Sequence, residues 1–167
     1  LINRHPHVFN NVDLDMSQFE KTWEELKRDE KGETSITSGL KRIPNHLPAL
    51  IKAEKIQHKA ALIGFDWDDI KDVFEKIEEE YKELLDECKQ GNIKYIKEEL
   101  GDLLFSIVNL ARFLHIDSEE ALNLTNQKFI NRFEFMEENA SKLHKKLEDL
   151  TLDQMEELWQ SAKKNKL

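Results

Sequence analysis

Two long amphipathic segments, separated by only three residues, limit most strongly what this chain can fold into. From Trp67 to about Lys89 apolar side chains recur every three or four positions: Ile70, Val73, Phe74, Ile77, Tyr81, Leu84, Leu85 and Cys88. At about 100° per residue these gather on one side of a helix. A second segment runs from Ile93 to about His115, where Leu100, Leu104, Ile107, Val108 and Ala111 set the core direction. Only Gln90, Gly91 and Asn92 lie between the two. So short a joint predicts an antiparallel helical hairpin.

The rest of the chain keeps the same period. Pro48 suits a first helical turn and opens a helix to about Ile63, which Gly64 ends. Asp66 is placed to cap the helix that starts at Trp67. Asp117 or Ser118 caps a further helix from Glu119 to the mid-140s, and Thr151 with Gln154 forms a capping box for a last one. Near the N-terminus, Ser17 opens a helix to about Lys27 with Phe19, Trp23 and Leu26 at helical spacing. The polar stretch 31–38, with Gly32, Thr34, Ser35, Thr37 and Ser38, reads as a mobile linker. It divides an N-terminal arm and linker, 1–42, from a main domain, 43–167. There is no strand-like alternation and no internal repeat, so the expected fold is all-α: a helical bundle with an N-terminal helical arm.

Composition narrows the function. Charged residues make up 35% of the 167, with only 5 Gly and 3 Pro, which suits helices with solvated faces. The net charge of -9 argues against a nucleic acid partner. A small anionic substrate would need a bridging metal or a local basic cluster. No apolar run approaches the roughly 18 residues of a membrane span, and no signal peptide is visible, so no membrane partner is expected. The single cysteine, Cys88, forms no disulfide within the chain. We place it in the core, and its lone occurrence fits a cytoplasmic location. The chain begins at Leu1 rather than Met, and we expect it to be a piece of a longer protein.

The hairpin carries a pattern of carboxylates. Glu80 falls on the flank of the first apolar stripe, and Glu83 lies one turn on, about 60° further round. On the second helix Glu99 lies about 100° from the core direction and Asp102 about 60° beyond it. The first pair stands about 10 residues before the turn and Glu99 about 8 after it, so the two pairs come level. Four anionic groups facing one gap repel unless a cation sits among them. Mg²⁺ takes oxygen ligands, keeps waters and engages phosphates. The residues alone leave a second reading open: a solvated acidic edge, in a chain with 34 Asp and Glu among 167 residues. Di-iron bundles use Glu-x-x-His, and none of the six histidines has a Glu three residues before it. No Cys/His cluster serves zinc. There is no phosphate-binding glycine loop and no nucleophile elbow.

With these residues in view, the sequence resembles the MazG-type nucleoside triphosphate pyrophosphohydrolases, and within them the second of the two domains of the full-length bacterial form. The family pattern E-x-x-E, spacer, E-x-x-D stands here as E-Y-K-E over 80–83 and E-L-G-D over 99–102. The flanks agree in LPALIKAEKIQHKAALIGFDW at 47–67, NQKFINRF at 126–133 and MEELWQ at 155–160. RHPHVF at 4–9 is similar to the segment that follows the first domain.

The resemblance implies hydrolysis between the α- and β-phosphates of a nucleoside triphosphate, releasing a monophosphate and pyrophosphate. It implies that Glu80, Glu83, Glu99 and Asp102 hold Mg²⁺, with Mn²⁺ as a substitute, and that Glu79 and Glu98 stand beside them as outer or base residues. Family contacts to phosphate and nucleotide fall on Lys76, Lys128, Arg132, Trp159 and Lys163. On the residues alone, Lys128 and Arg132 are equally a basic strip at i, i+4, and Trp159 an anchor for its helix. Where some relatives carry a Lys before the second pair, this chain has Tyr95, with Lys94 beside it. Family members dimerise, and the 93–115 helix is apolar almost all round, with Phe105, Leu110 and Phe113 off its main stripe. A homodimer is therefore expected, with Trp23 and the arm reaching a partner. The flanks favour broad triphosphate use over a narrower relative acting on dUTP, dCTP or phosphoribosyl-ATP. The remaining alternative is a non-catalytic dimerisation or regulatory module.

Overall fold

A computed structural model describes residues 35–165. The expected helix at 17–27, the RHPHVF segment and most of the arm lie outside the described residues. Six α-helices and one short 3₁₀ helix make up the described chain, and no strand occurs among the described residues. The fold is all-α. The helices are α1 (Ile36–Lys41), α2 (Ala49–Ala61), α3 (Ile70–Gln90), α4 (Ile93–Phe113), α5 (Ser118–Lys142) and α6 (Leu152–Lys164), with the 3₁₀ helix at Leu147–Asp149.

Helix α1 falls in and beyond the stretch expected as linker. Ser35 and Ser38 cap it reciprocally: each side-chain oxygen accepts from the other's backbone N–H, at 3.1 and 3.2 Å. Its single short turn carries no apolar period to announce it. Pro48 stands at the N-cap of α2, and Gly64 closes the following turn at φ 86°.

Helix α3 begins three residues later than the sequence suggests. Asp69, not Asp66, caps it by accepting from the Lys71 backbone N–H at 2.8 Å. Asp66 is held elsewhere: Arg112, in the last turn of α4, grips both of its carboxylate oxygens. Gly91 ends α3 in the left-handed region at φ 75°, its N–H donating to Glu87 O at 2.9 Å. Asn92 then caps α4 through the Lys94 N–H at 3.2 Å. The turn thus stops one helix and starts the next within two residues, which fixes the antiparallel pairing of α3 with α4. Helix α2 lies against α4 as well. Gln57, buried on α2, donates through Nε2 to Phe105 O at 2.7 Å.

The chain divides into two compact units between Ser118 and Glu119. In the first, Val73 of α3 and Val108 of α4 are fully buried, with Ile43 also inside. In the second, Met136, Ala140, Leu150 and Ala162 form the core. The expected Thr151–Gln154 capping box is present on α6.

Much of the expected apolar stripe is not covered within the described residues. Phe74, Tyr81 and Leu85 on α3 and Leu100, Leu104 and Ile107 on α4 are exposed, Tyr81 by 52% and Leu104 by 49%. Cys88, expected in the core, is exposed too. The stripe on each helix is wider than its one or two packed neighbours can cover.

Candidate metal centre

The hairpin turn sets the site. It brings carboxylate oxygens of Glu80 and Glu83 on α3 and Glu99 on α4 within 4.8 Å of one another. Their exposures differ: Glu80 is 6% exposed, Glu99 is half-buried and Glu83 is open to solvent. Asp102, one turn beyond Glu99, is exposed and stands outside this three-oxygen group. Its charge still reaches Glu99. Desolvation first, then the charges of Glu83, Asp102, Glu80 and Glu87, push the Glu99 carboxyl above its ordinary pKa.

Lys76 is the cation of the site. Its ammonium lies 2.6 Å from Glu80 Oε1 and 3.0 Å from Glu79 Oε1. Hydrogen bonds to those two carboxylates hold it above the ordinary lysine pKa. Glu79 therefore meets the site through Lys76. Glu98 points to another partner, Lys94, at 3.8 Å. Lys94 also lies 5.5 Å from the ring centre of Tyr95.

The remaining expected residues belong to the second unit. Arg132 on α5 sits over the ring of Trp159 on α6, 5.1 Å from its centre. Trp159 packs on Phe129 and Phe133, with ring centres 5.2 and 6.1 Å away. Two phenyl rings and a guanidinium thus hold the indole. Lys128 and Lys163 are exposed.

One acidic residue of the first unit was not singled out by its type. Glu87, one turn beyond Glu83, adds its charge to Glu99 and has a buried Oε2 with no hydrogen-bond partner. Its signal in sequence was its place on the same flank as Lys76 and Glu83.

The donor set is all oxygen, crowded and mutually repelling, which fits a hard divalent cation such as Mg²⁺ or Mn²⁺ and offers nothing to a soft one. Fold and site together define an all-α protein with a carboxylate centre on a helical hairpin. Residues 69–136 match the MazG nucleotide pyrophosphohydrolase domain. The match contains Lys76, all four motif carboxylates, Lys128 and Arg132, and ends before Trp159 and Lys163.

Over 163 residues the chain is 46% identical to the nucleoside triphosphate pyrophosphohydrolase/pyrophosphatase MazG of Thermotoga maritima, covering 98% of this chain and 61% of that one. Over 170 residues it is 39% identical to the nucleoside triphosphate pyrophosphohydrolase of Escherichia coli K12, covering 100% of this chain and 65% of the relative. It is also 45% identical over 165 residues to the uncharacterized protein YabN of Bacillus subtilis, covering 98% of this chain and 34% of YabN. The chain thus spans less than two thirds of the length of each of these relatives.

Proposed function

We propose that this chain hydrolyses nucleoside triphosphates between the α- and β-phosphates, in a Mg²⁺-dependent reaction with broad tolerance of the base, in the cytoplasm. The observation that carries this reading is the convergence of Glu80, Glu83 and Glu99 oxygens across the α3–α4 turn, at the positions of the family's E-x-x-E and E-x-x-D pairs.

Glu80, Glu83, Glu99 and Asp102 would hold the cation, which when bound neutralises phosphate charge and lowers the pKa of a coordinated water. The residues do the rest. A water oxygen bonds to the α-phosphorus, the bond to the bridging oxygen breaks, and pyrophosphate leaves with that oxygen. The water proton passes to a carboxylate beside those that would hold the cation, Glu79 or Glu98. Lys76 stabilises phosphate charge. The same reading assigns Lys128, Arg132 and Lys163 to phosphates and Trp159 to the base. The exposed apolar positions of α3 and α4 support a homodimer that covers them.

The test is pyrophosphate release from the ribo- and deoxyribonucleoside triphosphates, each with Mg²⁺ and with EDTA. Release from several bases, abolished by EDTA, is expected. Release from dUTP or dCTP alone would replace broad use with a narrow specificity. No release from any triphosphate would remove the catalytic reading.

A further inference from the structure

Glu80 is the most buried of the clustered carboxylates, and its counter-charge is Lys76 at 2.6 Å. Among the described residues Lys76 is the one cation at ion-pair distance from Glu80, Glu83 or Glu99. Two of its three donors are committed, one to Glu80 and one to Glu79. Building on the proposed metal site, we infer that Lys76 couples cation binding to nucleotide binding: it neutralises Glu80 in the empty site and exchanges it for a triphosphate oxygen when both ligands arrive.

The argument is electrostatic. Mg²⁺ takes carboxylate oxygens at about 2.0–2.1 Å. An ion on Glu80 would therefore stand within a few ångströms of the Lys76 ammonium, and the two cations repel. Lys76 can swing away, but it then gives up both of its carboxylates. A free cation meets this opposition. A cation accompanied by a triphosphate does not, because the phosphates supply the anionic oxygens that the ammonium needs. The lysine thus biases the site against the bare ion and toward the ion together with nucleotide. Such a bias is a coupling free energy and is reciprocal: each ligand tightens the other.

The experiment is calorimetric titration with Mn²⁺, with and without the α,β-methylene analogue of ATP, on the wild-type chain and on Lys76→Met, Lys76→Arg and Lys82→Met. Lys82 pairs with the exposed Glu78 on the same helix, so its loss removes one charge without touching the cluster. Lys76→Met is expected to bind Mn²⁺ without nucleotide on the order of 5- to 10-fold more tightly than wild type. The enhancement of Mn²⁺ affinity by the analogue should shrink by a similar factor. Lys76→Arg should retain the enhancement, and Lys82→Met should match wild type in both measurements. Unchanged or weaker Mn²⁺ binding by Lys76→Met, or an undiminished enhancement, overturns the inference. Should Lys76→Met fail to fold, an Arg variant that has lost the enhancement does the same. Absence of Mn²⁺ binding by wild type even with the analogue present would instead sink the metal site on which the inference rests.

Discussion

At the scale of single residues, the carboxylates differ in what their loss should do. Glu83→Ala and Asp102→Ala are expected to reduce pyrophosphate release by at least 100-fold, on the order seen when a charge-stabilising group is removed from an active site, with an unchanged far-ultraviolet circular dichroism spectrum. Retained turnover in either would displace that residue from the centre. Glu99→Gln should also lose activity yet raise the melting temperature in EDTA. A carboxyl whose pKa is higher folded than unfolded favours folding while protonated; that contribution is complete below the unfolded value and is lost as pH rises through the folded value. Glu99 is of this kind. The stability gap between Glu99→Gln and wild type should therefore be widest at neutral pH and close as the solution is acidified. A constant gap across that range would mean the neighbouring charges do not act on Glu99. Three of the four motif carboxylates were legible as a group because their spacing on two helices and the length of one turn are local facts. The Lys76–Glu80 bond was not, since i, i+4 spacing allows the contact without deciding which rotamer makes it.

At the scale of elements, two joints hold the first unit in register. Gly91 sits at φ 75°, and a Cβ there would meet no neighbouring atom, so the cost of Gly91→Ala is backbone strain alone. About 1 kcal/mol is expected in urea unfolding. Arg112 and Asp66 make the other joint, fixing the α2–α3 connection to the end of α4 from 46 residues away. Both side chains are largely shielded, so Arg112→Ala should cost on the order of 2 kcal/mol, and Arg112→Lys should recover only part of it because the fork is lost. Equal stability of the alanine variant and wild type would show the pair to be energetically idle. In the sequence Asp66 has the mark of a cap, because Asp before an apolar period is a helix-start signal, and a partner so distant leaves no local trace. Helix α1 is hidden in the sequence for the opposite reason. Its capping box is local, but six residues are too few to show a period.

At the scale of the whole molecule, the apolar character of α3 and α4 was readable from the sequence, whereas its burial was not, because a period identifies a face without saying what covers it. Leu104→Glu is expected to convert the proposed dimer to a monomer in light scattering, and a monomeric wild type at all concentrations would overturn the proposed homodimer. The shallow core has a thermodynamic corollary. If the exposed stripe is closed only by a second copy, a large share of the stabilising apolar burial belongs to association, and folding becomes a bimolecular equilibrium. The melting temperature should then climb with protein concentration, and diluting the chain should unfold it.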